Sequence, residues 1–189
     1  GGRCIAACGY QQGIIKENAT YEAVDGIHNV SVLQKSFNEF HVELSMCDIL
    51  SYKYDENTLL INTGSPHYVK KINNLSDLDV NAEGAKIRYD KEISEDGVNV
   101  DFLLNDNGKI RIRTYERGVE NETLACGTGV TASAIAASLW FGGNDIDVYT
   151  QIARLNVKFD RDNDYFTNVI LSGPATFVFD GIFIFAPQK

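Results

Sequence analysis

Residues 128–140 constrain the fold more than any other stretch: their alanines and serines run nearly all the way round a helical wheel, and Gly142-Gly143 stop the run. A helix without a polar face has to be enclosed, and small side chains let strands approach it closely on every side. Strands able to do so are legible from period-two alternation at 20–24, 29–33 and 39–45, with Asp25-Gly26 as a hairpin turn. Further strands are expected at 58–62, 99–104, 109–115, 157–159, 167–172, 175–179 and 182–185, with a turn at 64–67 and a short helix near 76–82. Residues 3–12, ended by Gly13, repeat the small-residue helical character of 128–140. This echo suggests a mixed α/β (α+β) chain of two related halves that divide near 47–52.

At 189 residues and 44% hydrophobic, the chain can bury a substantial core. A net charge of −9, with Lys70-Lys71 as the one basic cluster, argues against nucleic acid and an anionic membrane surface and favours a small-molecule partner. No apolar run reaches the ~20 residues of a membrane helix. Cys4, Cys8, Cys47 and Cys126 form neither a Cys-x-x-Cys metal pattern nor a disulfide framework, so a reducing, cytoplasmic setting and no metal are expected. Cys4 and Cys8 share one helical face without histidine or carboxylate at ligand spacing, which reads as core packing.

Chemistry concentrates where the enclosed helix begins. Glu122-Thr123-Leu124-Ala125-Cys126-Gly127-Thr128-Gly129 puts Cys126 at a helix start, where the first N–H groups lack internal partners and the helix dipole is positive. That setting is expected to pull a thiol down from its usual ~8.5, making Cys126 a candidate acid/base near neutral pH. It would also offer the amides of Gly127 and Thr128 to a substrate carboxylate. An isolated Cys-Gly-x-Gly reads more readily as a glycine-rich turn holding a small buried thiol. Upstream, Glu116 and Arg117 would on their own be explained equally well by an ion pair.

Taken together, Glu116-Arg117-Gly118, Glu122-Thr123 and Ala125-Cys126-Gly127-Thr128-Gly129 resemble the second catalytic segment of the diaminopimelate epimerase family. Three other segments follow the family's order. Gly1-Gly2-Arg3-Cys4 is similar to the tail of its Cys-Gly-Asn-Gly-Gly-Arg-Cys motif, Gly64-Ser65-Pro66-His67-Tyr68-Val69 to its Asn-Pro-His segment, and Gly173-Pro174-Ala175 through Gly181 to its closing strand. The resemblance implies two pseudo-symmetric domains, each a strand-rich sheet wrapped around a central helix, with the site between the helix N-termini. Residues 1–50 with a final strand 181–189 would be the remainder of an incomplete first domain, and 51–180 the second.

It further implies cofactor-independent interconversion of LL- and meso-diaminopimelate by two cysteines, in lysine and peptidoglycan-precursor biosynthesis. Cys126 would be one acid/base, and the other would lie three positions before Gly1, a role that Cys4 does not fill. Roughly 60 to 80 further residues would precede Gly1, ending in Cys-Gly-Asn or a close variant. His67 and Glu116 complete the implied catalytic set. Gly1, Ser65, Asn99, Glu116, Arg117, Gly127 and Thr128 are the implied substrate contacts, Asn99 toward the distal end. A homodimer is compatible with this reading.

Ser65 departs from the family pattern, in which Asn usually precedes Pro-His, so a direct contact to the distal end of the substrate is expected to become water-mediated. Two rival readings remain. A proline-racemase-like enzyme shares the two-cysteine logic and the Cys-Gly-Thr-Gly segment, and a non-catalytic amino-acid-binding module would need no second thiol.

Overall fold

The computed structural model describes residues 1–182. The chain opens with α1 (Gly2–Gln11), followed by β1 (Asn18–Ala23), β2 (Gly26–Gln34), β3 (Glu39–Ser45), β4 (Tyr52–Tyr54), β5 (Thr58–Asn62) and β6 (Pro66–Lys71). Then come α2 (Val80–Arg88), β7 (Asn99–Asp106), β8 (Lys109–Glu116), β9 (Asn121–Thr123), α3 (Gly127–Phe141), β10 (Asp145–Tyr149), β11 (Arg154–Asp162) and β12 (Tyr165–Thr176). The strands form one 12-stranded sheet in the order β1-β2-β3-β12-β11-β10-β8-β7-β6-β5-β4, with β9 on β8. Pairing is antiparallel except between β10 and β8 and between β6 and β7. The architecture is mixed α+β and strand-rich.

Enclosure of α3 organises the larger part of the core. All of residues 129–138 are buried, and Leu59, Val69, Leu103, Ile112, Val148, Val157 and Leu171 close around them. Each such aliphatic side chain contributes about 1.5–3 kcal/mol when fully buried. The opposite face of β7 and β8 packs on α2 through Val100, Phe102, Tyr115 and Val80. A separate cluster joins Ala6 and Ala7 of α1 to Val30, Val32, Phe40, Val42 and Leu44. Strand β12 is the seam, pairing with β3 along one edge and β11 along the other.

Several expected elements differ. The turn at 64–67 is shorter: Pro66 opens β6 and His67 lies within it, paired with Ile61 and Asn99. A first strand position is one that proline tolerates. The helix expected near 76–82 starts at Val80 instead, because the Asp79 carboxylate accepts the Ala82 N–H at 3.0 Å and caps it there. Strands expected at 167–172 and 175–179 are one strand as far as Thr176, and residues 177–179 lie beyond it in no strand. Pairing of β12 with β11 ends at Ser172, so Pro174 sits where the strand has only β3 beside it and interrupts nothing. Strands β4 and β9, of three residues each, are too short for a period-two signal. The alternation of Asp145-Ile146-Asp147-Val148 was readable, but β10 was not expected. Of the strand expected at 182–185 and the return of 181–189 to the first half, Gly181 and Ile182 are in no strand and residues 183–189 lie outside the described residues.

Candidate active site

Period-two alternation delivers the polar groups to α3. On β6, Val69 packs toward α3 while Tyr68 turns to α2, so His67 shares the α3 side. On β7 and β8 the same alternation sends Asn99, Asp101 and Thr114 there, in line with Leu103 and Ile112. Asp101 and Thr114 are direct cross-strand partners, as are His67 and Asn99. An otherwise apolar wall therefore turns polar beside the first turn of α3.

Cys126 is the N-cap of α3, in an extended conformation, and its side chain makes no capping bond. Its carbonyl accepts the Val130 N–H at 2.9 Å. The Sγ lies 3.3 Å from Thr128 Oγ1, which is in turn 2.9 Å from His67 Nε2 and 3.1 Å from Ser65 Oγ. His67 Nδ1 is 2.7 Å from Asp101 Oδ2, and Asp101 Oδ1 accepts the Thr114 hydroxyl at 2.6 Å. Both His67 and Asp101 are 0% exposed. A side chain at Gly129 would overlap Asp101 Oδ1 and press on His67 Cε1, so the last glycine of the motif is what lets α3 seat on this pair.

Burial pushes the Cys126 thiol up to about 11, and the nearby charges of Asp101 and Glu116 push the same way. The Thr128 hydroxyl and the Gly129 amide oppose this without reversing it. The depression expected at a helix start is thus overturned: removal from water outweighs the partial charge of the helix end.

Asn99 is almost fully buried. Its Oδ1 accepts the Arg117 backbone N–H at 2.9 Å and its Nδ2 donates to Pro66 O at 2.9 Å, so it ties the end of β8 to the start of β6. The half-buried Arg117 guanidinium donates to Gly97 O at 3.3 Å. Among the described residues the ion pairs here are Arg113–Glu122, 2.6 Å, and Arg88–Glu120, 3.0 Å, rather than Glu116–Arg117. Glu116 is half-buried.

Gly1 is the exposed N-cap of α1. The starts of α1 and α3 are neighbours, since Arg3 Nη1 is 4.0 Å from where a Cβ at Gly127 would lie. Burial lowers the pKa of Arg3, and its Nε is buried without a hydrogen-bond partner among the described residues. Cys4 and Cys8 are exposed, contrary to the core packing expected of them: α1 buries Ala6 and Ala7 instead. Sequence reasoning missed Asp101, Thr114 and Arg3. For Asp101 a signal was present, a carboxylate at an inward position of the apolar run 98–104.

Residues 59–178 match the family model described as diaminopimelate epimerase. The chain is 42% identical over 183 residues to the diaminopimelate epimerase of Flavobacterium psychrophilum, covering 95% of this chain and 70% of that protein. It is 35% identical over 192 residues to the diaminopimelate epimerase of Hydrogenobaculum sp., covering 96% and 68%. Among solved structures, a phenazine biosynthesis protein of the PhzF family from Bacillus anthracis superposes with a TM-score of 0.63 at 11% identity, covering 93% of this chain and 71% of that one. That likeness speaks to the fold alone.

Proposed function

The chain belongs to the diaminopimelate epimerase family, a family of isomerases, and from that premise we propose that it inverts the α-carbon of diaminopimelate, interconverting the LL and meso forms with Cys126 as one of two acid/base thiols. In this reading the reaction serves lysine and peptidoglycan-precursor synthesis in the cytoplasm. The observation that carries the reading is a thiol at the open end of an enclosed helix, hydrogen-bonded to Thr128 and through it to the buried His67–Asp101 pair.

The chemistry follows from the difficulty of the step. An amino-acid α-carbon is a very weak acid, so its base must be both strong and ionised at the working pH, a compromise that favours a pKa near that pH. Cys126, pushed up to about 11 in the chain alone, therefore relies on a substrate ammonium reaching the site to favour the thiolate. Charge developing on the α-carboxylate is met by the free amides at the start of α3, which are oriented before the reaction begins. One thiolate removes the proton from one face, and a second thiol donates its own to the other. By the motif resemblance Cys4 falls at a non-catalytic cysteine, so the reading assigns the second thiol to the motif's first cysteine instead.

Arg117, released from its single long bond to Gly97 O, presents a planar pair of donors to a carboxylate, and Glu116 receives an ammonium. Asn99 has both ends of its amide engaged with backbone, so here it acts by holding Arg117 in place. The test is incubation of the native-length protein with a single stereoisomer of diaminopimelate in deuterated water. Inverted product carrying deuterium at the α-carbon is expected. Absence of both inversion and label would defeat the reading, and label uptake with proline instead would move it to a proline-racemase-like enzyme.

A further inference from the structure

We propose that Asp101, acting through His67, and the hydroxyls of Ser65 and Thr128 form a positioning relay that lets one side chain, Thr128, serve Cys126 both as thiol and as thiolate. The kinetic consequence rests on the epimerase reading above, but the geometry stands independently of it.

A carboxylate with no exposure is costly unless its oxygens are satisfied, and both are: Thr114 donates to Oδ1 at 2.6 Å, and His67 Nδ1 meets Oδ2 at 2.7 Å. With Asp101 Oδ2 accepting, the proton of a neutral His67 sits on Nδ1, and in that tautomer, which the relay uses, Nε2 is an acceptor. Two hydroxyls compete to fill that acceptor, Thr128 at 2.9 Å and Ser65 at 3.1 Å. The Asn99 amide is farther, at 3.5 Å, and its two protons already serve Pro66 O at 2.9 Å and Ser65 Oγ at 3.3 Å.

The two hydroxyls are themselves 3.1 Å apart, and each has one proton to give. Two arrangements satisfy every group. In the first, Thr128 donates to His67 Nε2 and its oxygen accepts from the Cys126 S–H across 3.3 Å. In the second, Ser65 donates to Nε2, which frees the Thr128 proton to turn toward a Cys126 thiolate. Passing between them needs only hydroxyl rotation. No heavy atom moves and no proton leaves the relay; the proton exchanged with substrate is the one on sulfur. Ser65 is what makes the second arrangement available, because it can take over at Nε2 when Thr128 turns away. Thr128 is accordingly a group that favours the thiolate, while the Asp101 charge disfavours it.

The test compares the native-length protein with its Asp101→Asn, Thr128→Val and Thr128→Ser variants. One readout is kcat and KM with diaminopimelate. The other is the pH dependence of Cys126 alkylation by iodoacetamide, followed on its own peptide by mass spectrometry. Thr128→Val should move the alkylation midpoint to higher pH and Asp101→Asn to lower pH, opposite shifts that a merely structural role would not produce. Both should lower kcat by at least about tenfold with KM changed by less than about threefold, and Thr128→Ser should restore most of the rate. Should Asp101→Asn fail to fold, the Thr128→Val and Thr128→Ser pair decides. An alkylation curve for Thr128→Val that overlays the wild type, or full kcat in Thr128→Val, would overturn the relay. If the wild type itself does not epimerise, the proposed function falls, and the alkylation shifts still judge the relay.

Discussion

α1 and α3 are both glycine-led helices of small residues, and the described residues cover them to different extents: strands close round α3, whereas α1 has β2, β3 and β12 on one side. In α3 the whole of 129–138 is buried, whereas in α1 Ala6 and Ala7 are the buried residues and Ile5 is 65% exposed. Their first turns nevertheless lie side by side, with Arg3 of α1 against Gly127 of α3. Cysteines occur on both, yet those of α1 face outward while Cys126 at the start of α3 has its thiol pushed up by burial. The difference teaches that the helix end does not set the character of this thiol. What the surrounding strands exclude sets it: water is removed, two carboxylates are left close by, and the helix amides are a lesser influence.

The sharpest way to break this contrast is to truncate a thiol on each helix. Cys126→Ala should lower kcat by at least about 10³-fold while the thermal midpoint stays near the wild type, because loss of one sulfur atom at the helix start opens no large cavity. Cys4→Ala should leave kcat within about twofold. Comparable losses from both would mean that the α1 thiol also does chemistry.

Next in size is Arg117→Lys. Its ammonium keeps the charge but cannot reproduce two parallel donors, so kcat/KM should fall by about 10- to 100-fold. A near-normal value would make Arg117 a strand-end support for Gly97 and nothing more. Packing offers a third comparison. Ala136→Leu forces volume into the enclosed helix and should cost about 1–3 kcal/mol in denaturant unfolding. In a protein of these 189 residues, Cys8→Leu on the exposed side of α1 should stay within about 0.5 kcal/mol. Equal costs would show α1 to be enclosed as well.

The smallest effect is a pH dependence. The Cys126 thiol is raised in the folded chain from an ordinary 9.0 to about 11, so the folded state holds its proton more tightly than the unfolded one. Its contribution to stability is complete below pH 9 and is lost as pH rises toward 11. Wild type should therefore lose stability over that window relative to Cys126→Ala. Parallel stability curves for the two proteins would mean that the thiol is better solvated than its burial indicates.

Local pattern was enough for much of this. The helix expected at 128–140 is found at Gly127–Phe141, and the strand at 58–62 matches β5, because a wheel of small residues and a period-two run are written in consecutive positions. The hairpin of β7 and β8 was legible for the same reason, its turn residues lying between two alternating runs. Cys126 drew notice from its motif, yet neither its burial nor the direction of its pKa could be read there, since both depend on what closes over the helix start.

The relay was out of reach altogether. Asp101 meets His67 across 34 positions because β6 and β7 pair in parallel, and Thr128 joins them only when α3 seats on Gly129. Amino-acid order dictated which segments became helix or strand and which of their faces were apolar, through interactions a few residues in range. Which polar groups met, how dry they became and which proton each was left holding came from the three-dimensional packing, because desolvation and hydrogen-bond partners are supplied by neighbours distant in sequence.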